Sequence, residues 1–156
     1  MTEDAASIYQ AHLDAVSEAL WAHDYDRLLE HIHFPSFVET DDDVLRLDTP
    51  ESYLPSIRSF RRKLDQHNAT AYHRICLEAV FASDDPSRIE GMHKTYALSG
   101  ATPVMEPYLS QMTLVRKGGK WLGAGIRAAT DNARWHIIHK PQTPARRPDL
   151  AKGERQ

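Results

Sequence analysis

The sequence predicts an α+β fold in which three N-terminal helices pack in the concave face of a strongly curved, mixed and mostly antiparallel sheet around a central pocket. Three observations predict it. Helical periodicity dominates the first third of the chain, and long alternating segments follow. Apolar-rich segments flank Gly118-Gly119 within Tyr108–Ile126, and this dipeptide admits the positive φ angles of a two-residue hairpin. The composition, 41% hydrophobic and 26% charged over 156 residues, suits one soluble domain with a sizeable core.

The elements follow in order. Ala6, Tyr9, Leu13, Val16 and Leu20 recur at spacings of three and four, which predicts a helix over residues 3–22, capped by Thr2. Asp24 caps a second helix of about two turns, with Tyr25, Leu28, Leu29 and Ile32 inward and Pro35 as its stop. Phe34 to Glu39 and Val44 to Leu47 read as short strands around a solvated Asp41-Asp42-Asp43 turn. Thr49-Pro50-Glu51 starts a third helix, unless Ser52 is the cap and Pro55 falls in the first turn. Thr70 to Ser83 alternates, with His73, Ile75, Leu77, Ala79 and Phe81 on one face and Arg74, Cys76, Glu78 and Val80 on the other. Asp84-Asp85-Pro86-Ser87 is a turn, Arg88 to Leu98 is the next strand, and Pro103 and Pro107 bracket a link. Tyr108 to Lys117 and Lys120 to Ala129 form the hairpin, and Ala133 to Lys140 either continues as a strand or frays. Residues 1–140 are expected to form the domain. Residues 141–156, basic and rich in proline, are expected to form a disordered tail.

Charge and targeting narrow the function. Residues 1–50 hold 12 acids and 2 basic residues, and the remainder 17 basic residues and 10 acids, giving net charges of −10 and +7. The basic residues form no dense stripe interleaved with aromatics, so no nucleic-acid partner is expected; the two halves attract each other instead. No apolar run approaches the roughly 20 residues that span a bilayer. Met1-Thr-Glu-Asp-Ala-Ala lacks the start of a signal peptide, and Cys76 is the single cysteine. A cytoplasmic protein without membrane contact is expected.

The element order, the segment Asp24-Tyr-Asp-Arg-Leu-Leu-Glu30 ahead of Phe37-Val-Glu-Thr40, and the hairpin Arg116-Lys-Gly-Gly-Lys-Trp121 resemble the nuclear transport factor two-like superfamily. This is the cystatin-like α+β cone of polyketide-cyclase-like proteins, ketosteroid isomerases and scytalone dehydratase. The resemblance covers residues 5–130. It implies a deep pocket between the first helices and the concave sheet face, a dimer through the outer face, and acid–base residues on an apolar wall.

Several constellations carry possible chemistry. Tyr9 matches the isomerase tyrosine, while Glu39, Thr40 or Asp41 stand near the position of the general base and Glu106 near that of the later acid. His73 and His93, on adjacent predicted strands, can form an acid–base pair with Glu39 or Glu106. His31-x-His33 and His136-x-x-His139 match neither a metalloprotease nor a zinc-finger spacing, so no metal is expected. Cys76, mid-strand, has no base placed beside it and reads as a small buried hydrophobe.

Together these predict a small-molecule pocket protein resembling polyketide cyclases, dehydratases and isomerases, without cofactor and homodimeric, whose ligand is small and apolar. The candidate catalytic residues are Glu39, His73, His93 and Tyr9, and the candidate ligand-binding residues Leu13, Trp21, Phe37 and Tyr108. Two alternatives stay open: a non-catalytic dimerising module whose cavity is filled by its own side chains, and a subunit that pairs with an oxygenase.

Overall fold

Side-chain caps set the start of each longer helix. In the computed structural model, which describes residues 3–140, α1 (Ala5–Trp21) begins at Asp4, whose carboxylate accepts the Ser7 N–H at 2.7 Å. Asp24 caps the short α2 (Tyr25–Leu29), accepting the Arg27 N–H at 3.3 Å. Thr49 rather than Ser52 caps α3 (Pro50–Gln66). The two exchange reciprocal bonds, Thr49 Oγ1 accepting the Ser52 N–H at 3.2 Å and Ser52 Oγ accepting the Thr49 N–H at 3.3 Å. Pro55 lies inside that helix. The cap expected at Thr2 and the tail expected over residues 141–156 lie outside the described residues.

The strands are β1 (Ile32–Glu39), β2 (Val44–Leu47), β3 (Ala71–Ala82), β4 (Asp85–Ser99), β5 (Thr102–Pro103), β6 (Tyr108–Lys117) and β7 (Lys120–Ala128), followed by α4 (Asn132–Trp135). They form one sheet in the order β2-β1-β7-β6-β4-β3, with β5 on the end of β4. β1 and β7 run parallel and every other pair antiparallel, so the architecture is α+β with helices packed against a mixed sheet that does not close. The hairpin turn has φ of 58° at Gly118 and 77° at Gly119, the conformation for which glycine is suited. Among the described residues no helix is long and apolar enough to cross a membrane.

Four local expectations are corrected. Pro35 lies within β1 and does not end α2, which stops at Leu29. The turn after β3 is Ser83-Asp84, and Asp85 and Pro86 already belong to β4. Residues 132–135 form a short helix where a strand was one expectation. Asp42 is more than a solvated turn residue: its carboxylate accepts the Asn132 N–H at 2.6 Å and the Ala133 N–H at 2.9 Å, tying the β1–β2 turn to α4.

Cross-strand register fixes which residues share a face. The rows Arg74–Thr95–Tyr108 and Cys76–His93–Ser110–Ala128 lie on the face toward the helices. The rows Ile75–Lys94–Leu109 and Glu78–Met92–Gln111–Arg127–Glu39 lie on the opposite face. Between Cys76–His93 and Glu78–Met92, β3 advances two residues while β4 advances one. This bulge exchanges the faces of β3. Upstream of it Tyr72, Arg74 and Cys76 turn inward; downstream of it Ala79 and Phe81 do, packing on the cluster around Tyr9. The unpaired edge of β3 is served from α1: the Gln10 amide donates to the Arg74 carbonyl at 2.9 Å and accepts the Cys76 N–H at 2.7 Å.

Candidate functional site

A cavity of about 110 Å³ lies between α1, α3 and the inner sheet face. Its walls are mostly hydrocarbon: Val16 and Leu20 from α1, Ile57 and Phe60 from α3, Met112 from β6 and Ile126 from β7. Into these walls are set His12 from α1, Tyr53 and Ser56 from α3, Arg74 from β3, His93 and Thr95 from β4, and Tyr108 and Ser110 from β6. No aspartate or glutamate lines it among the described residues. A dry cavity of about 150 Å³ holds a benzene molecule, so this one sets the ligand at roughly one small ring.

The electrostatics follow from enclosing one cation among neutral rings. His93 is fully buried, and its Nδ1 lies 2.7 Å from the Tyr9 hydroxyl, itself fully buried. Burial, with the Arg74 guanidinium and His12 nearby, pushes the His93 pKa down to about 3. Burial and Arg74 also push His12 down to about 3. Burial raises Tyr9, Tyr72 and Tyr108 above the ordinary tyrosine value, and raises Tyr53 to about 12. All six groups are therefore neutral at neutral pH, and among the described residues Arg74 is the one charged residue in the cavity wall. Three polar atoms of the site lack a hydrogen-bond partner among the described residues: His12 Nδ1, His93 Nε2 and Ser110 Oγ.

The residues expected from the sequence are partly brought together here. His93 and Tyr108 line the cavity, and Tyr9 stands behind His93 and holds it. Leu13 is fully buried in the cluster around Tyr9, beside the cavity and not in its wall. Trp21 packs under the Arg61 guanidinium, 4.1 Å from its ring centre, away from the cavity. Phe37 borders the cavity, but its side chain is 47% exposed on the outer face, with Arg46 over the ring.

Glu39 and His73 are corrected outright as pocket residues. Glu39 lies on the outer face, partly exposed and paired with Arg127 at 3.3 Å. In β1 the buried residues are Ser36 and Val38, so Phe37 and Glu39 alternate outward. His73 is exposed because the segment of β3 before the bulge turns Tyr72 and Arg74 inward.

Sequence reasoning missed His12, Tyr53, Arg74, Thr95 and Ser110. His12 had a signal: it stands three residues from Tyr9 on the inward stripe of α1. Arg74 had none, since it stands on the face of β3 opposite His73, the residue expected to line the pocket.

No protein-family model matches the chain, and no curated protein matches it in sequence. Solved structures do match it. A nuclear transport factor two-like protein of unknown function from Shewanella oneidensis is 7% identical, with TM-score 0.59 over 79% of this chain and 97% of that one. A proposed scytalone dehydratase from Novosphingobium aromaticivorans is 9% identical, with TM-score 0.58 over 80% and 83%. A protein of unknown function with a cystatin-like fold from Nostoc punctiforme is 10% identical, with TM-score 0.58 over 80% and 90%. At these identities the likeness concerns the fold: the chain has the nuclear transport factor two-like, cystatin-like fold.

Proposed function

We propose that this chain binds a small, largely apolar carbonyl compound in the cavity and moves a proton on it without a cofactor. The observation that supports this most is the enclosed His93 ring, held by Tyr9 at Nδ1 and carrying an unpartnered Nε2 at the cavity wall. Tyr9 stays protonated, and His93 Nδ1 is its one hydrogen-bond partner among the described residues, so its proton points at Nδ1. The neutral imidazole then carries its own proton on Nε2. An N–H aimed into an apolar site stabilises a carbonyl oxygen as it gains negative charge.

His12 is the base in this reading. A proton α to the carbonyl passes to the imidazole, and the C–H electron pair becomes the enolate held by His93. The proton then returns to a neighbouring carbon, or a β-hydroxyl leaves with it as water. His12 is a weak base in the empty cavity; an enolate forming beside it raises its pKa by attraction. The similarity in fold to a proposed scytalone dehydratase favours this reaction class. Glu39 and His73, on the outer face, have no part in it.

Deuterium exchange tests the proposal. The wild-type protein is expected to accelerate exchange at the α carbon of cyclopentanone and similar ketones in D₂O, followed by proton NMR. Loss of the oxyanion donor in His93→Met, which carries no N–H, is expected to slow it by about 10²–10³-fold. No acceleration by a protein that still binds these ketones would sink the catalytic reading in favour of a binding module.

We also propose a homodimer through the outer sheet face and a cytoplasmic location, where the lone Cys76 thiol stays reduced. Ile75, Leu77, Val80 and Leu109 support the dimer: they are 47%, 54%, 54% and 43% exposed, an apolar area that a partner would cover. Leu77→Glu is expected to shift the sedimentation coefficient from dimer to monomer. Wild-type protein that sediments as a monomer at high concentration overturns this part.

A further inference from the structure

Building on the cavity proposed above, we propose that its ligand is a small monocarboxylate anchored by Arg74. The Arg74 side chain is buried, 9% exposed, in the cavity wall. Its Nε donates to Ser17 Oγ at 2.8 Å and its Nη2 to the Leu13 carbonyl at 3.4 Å. A guanidinium has five N–H donors, so most of them have no protein acceptor among the described residues. It forms no ion pair with any described carboxylate, and the cavity wall contains none. Arg61, also buried, differs: it has Asp65 at 2.7 Å.

A desolvated charge without a counter-ion is costly, and an anion that completes it recovers much of that cost. The planar guanidinium fork matches a carboxylate in two parallel hydrogen bonds. Among the described residues one cation stands in the wall, which favours a monoanion over a dianion.

A second observation points the same way. His93 Nε2 and Ser110 Oγ are buried without partners among the described residues. Their row lies two residues along the sheet from the Arg74 row. At about 3.4 Å per residue the backbones of the two rows are roughly 7 Å apart. A ligand one ring long can place its carboxylate at Arg74 and a second oxygen at His93, with its hydrocarbon against Phe60 and Met112. The volume of about 110 Å³ admits little more.

The test is a charge series on the full-length protein by titration calorimetry: benzoate and isobutyrate against benzyl alcohol and isobutanol, and against benzylamine. The carboxylates are expected to bind at least tenfold more tightly than the alcohols, and the amine not at all. Benzoate is expected to shift the His93 ring resonances in NMR, placing it in the cavity. Arg74→Met is expected to lose the preference for benzoate and keep benzyl alcohol. If that variant does not fold, the wild-type charge series decides alone. Alcohols that bind as tightly as carboxylates, or benzoate binding that Arg74→Met leaves unchanged, overturn the anion inference and leave the apolar cavity reading intact. Binding of none of these probes overturns both.

Discussion

Lowering the pH from 7 to 5 is expected to destabilise this protein by about 4 kcal/mol and to lower its melting temperature by roughly 10 °C. His12 and His93 are enclosed, 6% and 0% exposed, and each has a pKa of about 3 in the folded protein. In the unfolded chain each takes the ordinary value of about 6.5. Both pKa values are depressed by folding, so the unfolded state binds more protons between these limits. The stability is complete above the unfolded value and is lost as the pH falls toward the folded one. At pH 5 each histidine is about 1.5 units below its unfolded pKa, worth about 2 kcal/mol at 1.36 kcal/mol per unit.

The groups facing the two imidazoles do not reverse the sign. Arg74 is cationic, Tyr9 is neutral, and His31 beside His12 is itself shifted down by burial. The carboxylates shifted below their usual range, Asp4, Asp42, Asp43 and Asp85, lose their contribution only as pH falls through about 4 and lower. The two effects therefore occupy different windows. Melting temperatures across pH 4.5–8 check the expectation, and His93→Gln should halve the slope between 7 and 5. A flat profile there would mean that the two rings take up protons in place, with water or a counter-ion reaching them.

How much of this was legible in the sequence follows from which signals are local. Gly118-Gly119 set its own turn, and Thr49-Pro50 its own helix start, because each acts through its own backbone. Tyr9 read as inward because helical spacing puts it on the same stripe as Leu13, Val16 and Leu20. The facing of β3 was not legible. Its apolar residues Ile75 and Leu77 sit on the exposed side, while the inner side carries an arginine whose partners, Ser17 Oγ and the Leu13 carbonyl, are some sixty residues earlier in the chain. A bulge at Leu77 then exchanges the faces, so no single alternation describes the strand. The site was missed for the same reason. Its one charge and its second imidazole become neighbours only when α1 lies across β3, a contact that strand alternation alone cannot reveal.

Gly91→Ala is expected to destabilise the fold by about 3 kcal/mol, toward the upper end for overpacking a core by one methyl group. Gly91 sits mid-strand in β4, opposite Ala79 on β3 and Met112 on β6, on the face toward α1. A β-carbon built there would meet the Tyr9 ring at 2.2 Å from Cε1, 2.5 Å from Cδ1 and 2.7 Å from Cζ. The ring is fully buried among Leu13, Ile89 and Leu114, and its hydroxyl is fixed 2.7 Å from His93 Nδ1. It cannot retreat without breaking that bond or displacing α1. The glycine therefore acts through the absence of a side chain, making room for close approach, since its own φ lies outside the left-handed region. The substitution should also release His93, whose Nδ1 would be left buried without a donor, at a further 1–3 kcal/mol if no water replaces Tyr9 (about the usual cost of an orphaned polar atom). Urea denaturation of Gly91→Ala, of Tyr9→Leu and of the double variant separates the terms. With the shorter leucine at position 9 the added methyl has space, so Gly91→Ala should then cost less than about 1 kcal/mol, a coupling of at least about 2 kcal/mol between the two sites. Equal costs in both backgrounds would show that Tyr9 does not lie against β4, and would remove the support on which the orientation of His93 depends.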